Sequence, residues 1–384
     1  MRVVLFITVF VVAMRSWAGI GAVAMPDKWS ARAAEAVLLE GGNAVDAAIA
    51  ATFVLAVTYP EAGNIGGGGF MTSYVDGEPA FLDFRERAPA HAHRDMYLDE
   101  GGNFQQRMSI VGGKASGVPG TVKGMWAAHQ RYGSLPWKRL LQPATVLAEG
   151  GFIVPRALAE MAAEKIVEDD GETNFHKYFA NMRAGELFTQ PELAVTLGLI
   201  AEDAQSFYSG LPARQLVAQM QASGGLISLQ DLAGYRAVWR EPIREAWRDM
   251  EVLSAPPPSS GGFALVQLLK LRDFADTHFR QLWHNEPRYV HLLAELEKRV
   301  FADRAEYLGD PDFVDVPVAH LTSKEYAAEL VKTIRTDSPT PSINLGRKLK
   351  SVSGPHTSHF SIIDTNGNRV AVTASINLPF GSGY

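Results

Sequence analysis

Thr357-Ser-His-Phe-Ser-Ile-Ile-Asp-Thr-Asn-Gly-Asn-Arg-Val-Ala-Val-Thr-Ala-Ser375 is the stretch from which the rest of the 384-residue chain is best read. It is β-branched and alternating on both sides of Asn366-Gly367, the dipeptide suited to a tight hairpin turn. A turn centred near Asn366 sets Thr357 and Ser375 at equal distances along two strands. They are therefore expected as cross-strand neighbours, with the register open by about one residue. Cβ atoms of such pairs lie about 5 Å apart, within reach of a hydroxyl-to-hydroxyl hydrogen bond. Taken alone, a Thr and a Ser placed in this way are ordinary sheet stabilisation, and a catalytic role needs support from elsewhere in the chain.

Working outward, Phe70 to Val75 and Ala80 to Phe84 around Asp76-Gly77-Glu78-Pro79 predict a second hairpin. Before it, Ser30 to Glu40 carries apolar residues at helical spacing and stops at Gly41-Gly42. Asn43 then caps a helix over Ala44 to Val57 that is apolar apart from Asp46 and Thr52, and so buried on nearly all sides. Helices follow over Gly120 to Tyr132, Trp137 to Glu149 with an internal Pro143, Glu192 to Ala201, Gly261 to Phe274 and Arg288 to Glu306. Ser228-Leu-Gln-Asp231 is a capping box, and Arg236 to Leu253 alternates as strand. Without repeats, charge runs or a Pro/Ser linker, a single α+β unit is expected.

Composition narrows the chemistry. Hydrophobic residues make up 47% and charged residues 20%, an ordinary globular balance. A net charge of -6 lacks the basic excess that nucleic acid requires as a partner. The absence of cysteine excludes disulfides, thiolate metal sites and a cysteine nucleophile, leaving Ser, Thr, Lys or a carboxylate for covalent chemistry. The ten histidines show no metal-ligand spacing, so neither a metal nor another cofactor is implied. Met1-Arg2, the apolar run Val3 to Met14 and Ser16-Trp17-Ala18 resemble a secretory signal cut after Ala18, with Ala24 as the second candidate, which predicts a periplasmic or secreted protein.

Three further stretches stand out. Arg85, at the end of an apolar strand, is suited to a bidentate carboxylate clamp, although the pattern alone favours an internal salt bridge to Asp83, Glu86 or another acid. Gly66 to Gly69 fits neither dinucleotide nor P-loop spacing and implies close backbone approach between packed elements. Pro256 to Gly262 implies a rigid turn entering the following helix, with a role in lining a pocket left open.

The chain resembles the γ-glutamyltranspeptidases (glutathione hydrolases) of the N-terminal nucleophile superfamily. The resemblance runs through Gly41-Gly-Asn-Ala-Val-Asp-Ala-Ala48, Ala62-Gly-Asn-Ile-Gly-Gly-Gly-Gly-Phe-Met71, Asp83-Phe-Arg-Glu86, Pro256-Pro-Pro-Ser-Ser-Gly-Gly262, Ala302-Asp-Arg-Ala-Glu-Tyr-Leu-Gly-Asp-Pro-Asp312 and Thr357-Ser-His-Phe-Ser361. It implies an αββα sandwich, with two antiparallel sheets between helical layers and the nucleophile on a central strand. It also implies self-cleavage between His356 and Thr357, after which the Thr357 hydroxyl, aided by its own freed α-amine, attacks the γ-glutamyl carbonyl of glutathione or a related amide. Water or an acceptor amino acid or dipeptide then resolves the ester.

By the same resemblance Arg85 pairs with the substrate α-carboxylate, in place of the internal salt bridge. Ser375 supports the nucleophile where family members carry threonine, and Asn377 lines the glutamyl site. Residues 1–18 are then a signal, 19–356 a large-subunit region and 357–384 the opening of a small subunit. The family pattern continues past Tyr384 through an aspartate for the α-amine, a Ser-Ser pair and a Gly-Gly oxyanion turn, so a fragment is expected. Two other readings stay open: a β-lactam (glutaryl-cephalosporin) acylase of the same superfamily, and an uncleaved precursor without activity.

Overall fold

The structure is a computed structural model that describes residues 21–342, apart from 170 and 172, together with 357–384. The signal assigned to 1–18 and the residue His356 lie outside the described residues.

Antiparallel strands β1 (Ala22–Ala24), β2 (Gly68–Val75), β3 (Glu78–Asp83), β6 (Val238–Arg240), β9 (Thr357–Ile363) and β10 (Arg369–Ser375) form one sheet in the order β1-β9-β10-β2-β3-β6. Two small hairpin sheets complete the strands of the described residues: β4 (Phe152–Ile153) with β5 (Leu187–Phe188), and β7 (Ile243–Trp247) with β8 (Met250–Ser254). The α+β class is as expected, and one of the two large sheets of the sandwich is present among the described residues.

Alternation along the central strands separates two faces. Met71, Phe360, Ile362, Val370, Val372 and Ala374 are buried on the side where helix α2 (Ala44–Thr58) packs. Thr357, His359, Thr373 and Ser375 occupy the other, more exposed side. Every residue of α2 is buried, which accounts for its lack of an amphipathic stripe. Its N-terminus is tied down as the sequence predicts: Asn43 and Asp46 form a capping box, and Asp46 also accepts the Ser134 N–H. The Ala44 N–H donates to the Asp364 carboxylate at 3.0 Å, which fixes the core helix against the β9–β10 turn. Helix α1 (Lys28–Leu39) packs against α2, and α3 (Thr121–Tyr132) reaches β2 and β3.

The turn itself differs from the expected two-residue form. It spans Asp364 to Asn368, and Gly367 alone takes a left-handed φ, of 84°. Asp364 organises it by accepting the N–H groups of Asn366 at 2.9 Å and Asn368 at 3.0 Å. The centre of the turn nevertheless falls at Asn366, so the register follows the sequence prediction. The predicted strand over Arg236 to Leu253 is instead broken into β6, β7 and β8, with Arg248 at a φ of 56° turning the hairpin.

A second apolar cluster, including Phe263, Leu271, Leu292, Leu296 and Val300, lies among helices Gly261–Phe274, Pro287–Tyr307 and Lys324–Lys332. Its buried polar centre is Glu295, which accepts from Arg299 at 3.0 Å and from the Thr340 N–H at 2.9 Å. Burial pushes the Glu295 carboxyl up, but hydrogen bonds from Thr340, Lys298 and Arg299 outweigh it and hold the group at about 2.

Candidate active site

Thr357 is the first residue of β9 and lies directly opposite Ser375, the last of β10. The two hydroxyl oxygens are 3.4 Å apart. The Asn377 N–H donates to Ser375 Oγ at 3.0 Å, leaving the Ser375 proton able to point at Thr357 Oγ1. Asn377 achieves this with a φ of 70°, in the left-handed region that asparagine tolerates better than most residues. On the same face two positions along the ladder, His359 Nδ1 and Thr373 Oγ1 are 2.8 Å apart.

These strand ends open into a cavity of about 630 Å³. Its walls include Gly66 to Gly69, Arg85, Glu86, Thr357, Ser375 and Asn377, so the four side chains assigned by resemblance meet at one site. Gly67, Gly68 and Gly69 make the close backbone approach that the sequence predicts, whereas a Cβ on Gly66 would meet nothing within 4 Å. A Cβ on Gly68 would lie 2.5 Å from the Phe84 carbonyl oxygen, and one on Gly69 would lie 2.1 Å from that of Thr373. The loop is pinned from behind, because Asn64 Oδ1 accepts both the Gly67 N–H at 2.9 Å and the Thr121 hydroxyl at 2.6 Å.

Arg85 follows β3, and its guanidinium lies 5.8 Å from the centroid of the Phe70 ring. The internal pairing that the pattern alone suggested goes elsewhere. Asp83 accepts the Arg85 backbone N–H at 3.1 Å and gives its other oxygen to Arg240 Nε at 2.9 Å. The neighbouring Glu86 carboxyl is raised by burial, against the lowering influence of backbone N–H groups and of Arg85. Pro256 to Gly262 is not among the residues lining this cavity; Pro256 and Pro257 border a separate, open depression with Phe313 and Val316.

Sequence reasoning did not single out Glu61. It is buried, and one of its carboxylate oxygens has no hydrogen-bond partner among the described residues. Burial, reinforced by Asp27 and opposed by its own backbone N–H, raises it to about 7. Its carbonyl accepts the N–H of Phe380, a residue that lines the cavity, at 3.3 Å. No motif distinguishes such a glutamate; only its position in the fold does.

A hydroxyl opening one interior strand, matched to a hydroxyl on the next and set against a layer of helices, is the arrangement that the resemblance to the N-terminal nucleophile hydrolases implies. The model of the gamma-glutamyltranspeptidase family matches residues 30–384, and the chain belongs to that family. It is 52% identical over 365 residues to the glutathione hydrolase proenzyme of Pseudomonas aeruginosa, a match covering 94% of this chain and 65% of that protein. The chain therefore spans just under two thirds of the length of this relative. The structure is similar to gamma-glutamyltranspeptidase from Pseudomonas nitroreducens complexed with L-DON, with a TM-score of 0.83 and 51% identity, covering 85% of this chain and 97% of that one. It is also similar, at 28% identity and a TM-score of 0.81, to cephalosporin acylase from Bacillus halodurans, covering 94% of this chain and 67% of that one.

Proposed function

We propose that the protein hydrolyses and transfers γ-glutamyl groups, with glutathione and other γ-glutamyl amides as substrates and Thr357 as the nucleophile. The observation that carries this reading is the convergence of the Thr357–Ser375 hydroxyl pair and Arg85 on one cavity. Cleavage of the His356–Thr357 peptide bond frees the Thr357 α-amine, which takes the proton from Oγ1 as the oxygen attacks the γ-carbonyl carbon. The C–N bond of the amide breaks, the leaving amine (cysteinylglycine, for glutathione) carries the proton away, and a γ-glutamyl ester remains on Oγ1. Water or the amine of an amino acid or dipeptide then displaces Thr357 from the ester. Large and small subunits accordingly come from one precursor, divided at that bond.

Ser375 donates to Oγ1 and keeps it oriented, while Arg85 receives the substrate α-carboxylate in fork geometry. Asn377 contributes the N–H that orients Ser375 and lines the same cavity, which supports its assignment to the glutamyl site. Secretion to the periplasm or beyond fits the apolar run Val3 to Met14, and N-terminal sequencing of the mature chain tests it, a start at Gly19 being expected. The enzymatic reading is tested by release of nitroaniline from γ-glutamyl-p-nitroanilide and of glutamate from glutathione. Thr357→Ala is expected to abolish both reactions, and activity surviving in that variant overturns the assignment.

The likeness to a cephalosporin acylase supports a second reading, in which a glutaryl side chain replaces γ-glutamyl. Both acyl groups end in a carboxylate that suits Arg85, and they differ in the α-amine. Faster hydrolysis of glutaryl-cephalosporin than of glutathione favours the acylase.

A further inference from the structure

Arg85 is held by groups that do not line the cavity. Its N–H is taken by Asp83 at 3.1 Å and its carbonyl accepts the Tyr235 hydroxyl at 2.7 Å, so both sides of its backbone are fixed. Tyr235 is buried and stacks on Tyr208, with ring centroids 6.0 Å apart and an interplanar angle of 15°. Asp83 is in turn oriented by Arg240 Nε at 2.9 Å, a pair whose side chains are only 9% and 15% exposed. Arg240 is held from its far side by both oxygens of Asp312, at 3.0 and 3.2 Å. Asp312 also faces Arg87 Nη2 at 3.8 Å. The charges alternate along this line: Asp312, Arg240, Asp83, then the backbone of Arg85.

A substrate carboxylate bound by a single guanidinium depends on where that guanidinium sits, because bidentate geometry tolerates little displacement. We infer that Asp312, acting through Arg240 and Asp83, and Tyr235, acting directly on the Arg85 carbonyl, are positioning residues that set the Arg85 guanidinium for the substrate carboxylate. The inference rests on the reading of Arg85 as the carboxylate site and extends that site to residues that do not line the cavity. Asp312 touches neither the nucleophile nor the cavity, so its loss acts on substrate binding and leaves the chemistry at Thr357 intact.

The test is steady-state hydrolysis of γ-glutamyl-p-nitroanilide by the matured protein, with autocleavage and thermal unfolding followed in parallel. Asp312→Asn is expected to raise KM about tenfold with kcat within about twofold, and Asp312→Glu to recover most of the loss. Tyr235→Phe, which keeps the ring packing, is expected to raise KM about fivefold, again without a matching fall in kcat. In an Arg85→Gln background, Asp312→Asn is expected to change KM by less than about twofold, the signature of action through Arg85. An unchanged KM in both Asp312→Asn and Tyr235→Phe overturns the inference, as does an Asp312→Asn effect of the same size with and without Arg85. If Arg85→Gln alone leaves KM unchanged, it is the carboxylate-site reading that fails.

Discussion

Thr357 and Ser375 are 3.4 Å apart at their hydroxyls, longer than the usual O–H···O separation of about 2.7–2.8 Å. The same hydroxyl of Ser375 already accepts the Asn377 N–H, so its orientation is set while its grip on Thr357 is loose. Ser375→Ala is expected to lower kcat by roughly ten- to a hundredfold, the range of a lost hydrogen bond to a developing charge, with KM little changed. Ser375→Thr is expected to match or exceed the parent, since the added methyl restricts the rotamer. Glu61 makes a different prediction. Its folded value of about 7 lies above the ordinary carboxyl range, so folding favours its protonated form. That contribution to stability is present at low pH and is lost as pH rises through about 7, amounting to about 3 kcal/mol at 1.36 kcal/mol per unit. Calorimetric melting should therefore show Glu61→Gln equal to the parent at pH 4 and more stable at pH 8. Equal melting temperatures at both values contradict the assigned burial.

At the scale of elements, the glycine loop and the Glu295 cluster are the most exposed to substitution. Gly69→Ala places a Cβ 2.1 Å from the Thr373 carbonyl oxygen, so β2 and β10 must separate where Ser375 is held. Soluble yield and turnover are expected to fall together, with a loss of about 1–3 kcal/mol in urea unfolding. Glu295→Gln leaves Arg299, which is 2% exposed, without its counter-charge and is expected to destabilise by about 3–5 kcal/mol. Because Glu295 is held at about 2, the stability it gives is present above the ordinary carboxyl range and declines as pH falls toward 2. Elements whose cause is local were legible in the sequence. Helix α2 was expected over Ala44 to Val57 and runs to Thr58, because its cap and its apolar run need no information from elsewhere. The β6–β8 region was not, since Arg248 takes a left-handed φ for which no glycine gives warning.

Across the whole molecule the same division holds for the site. The Thr357–Ser375 pairing was legible because one hairpin sets both residues at equal distance from a turn at Asn366. The approach of Arg85 to that pair, across β2, came only from the resemblance. Asp83 was legible as a near neighbour of Arg85, but the supports beyond it carried no spacing signal: Asp83 and Arg240 are 157 positions apart, and Tyr235 and Arg85 are 150 apart. Such contacts arise from the packing of distant segments and carry no periodicity. The proposed function requires this assembly to make Thr357 a nucleophile first toward its own chain and then toward a γ-glutamyl amide. Intact-mass analysis of the purified protein during incubation tests it most directly. A new fragment whose N-terminus is Thr357 is expected in the parent and not in Thr357→Ala; a parent chain that stays whole at His356–Thr357, or is cut there equally in the variant, overturns the role proposed for Thr357.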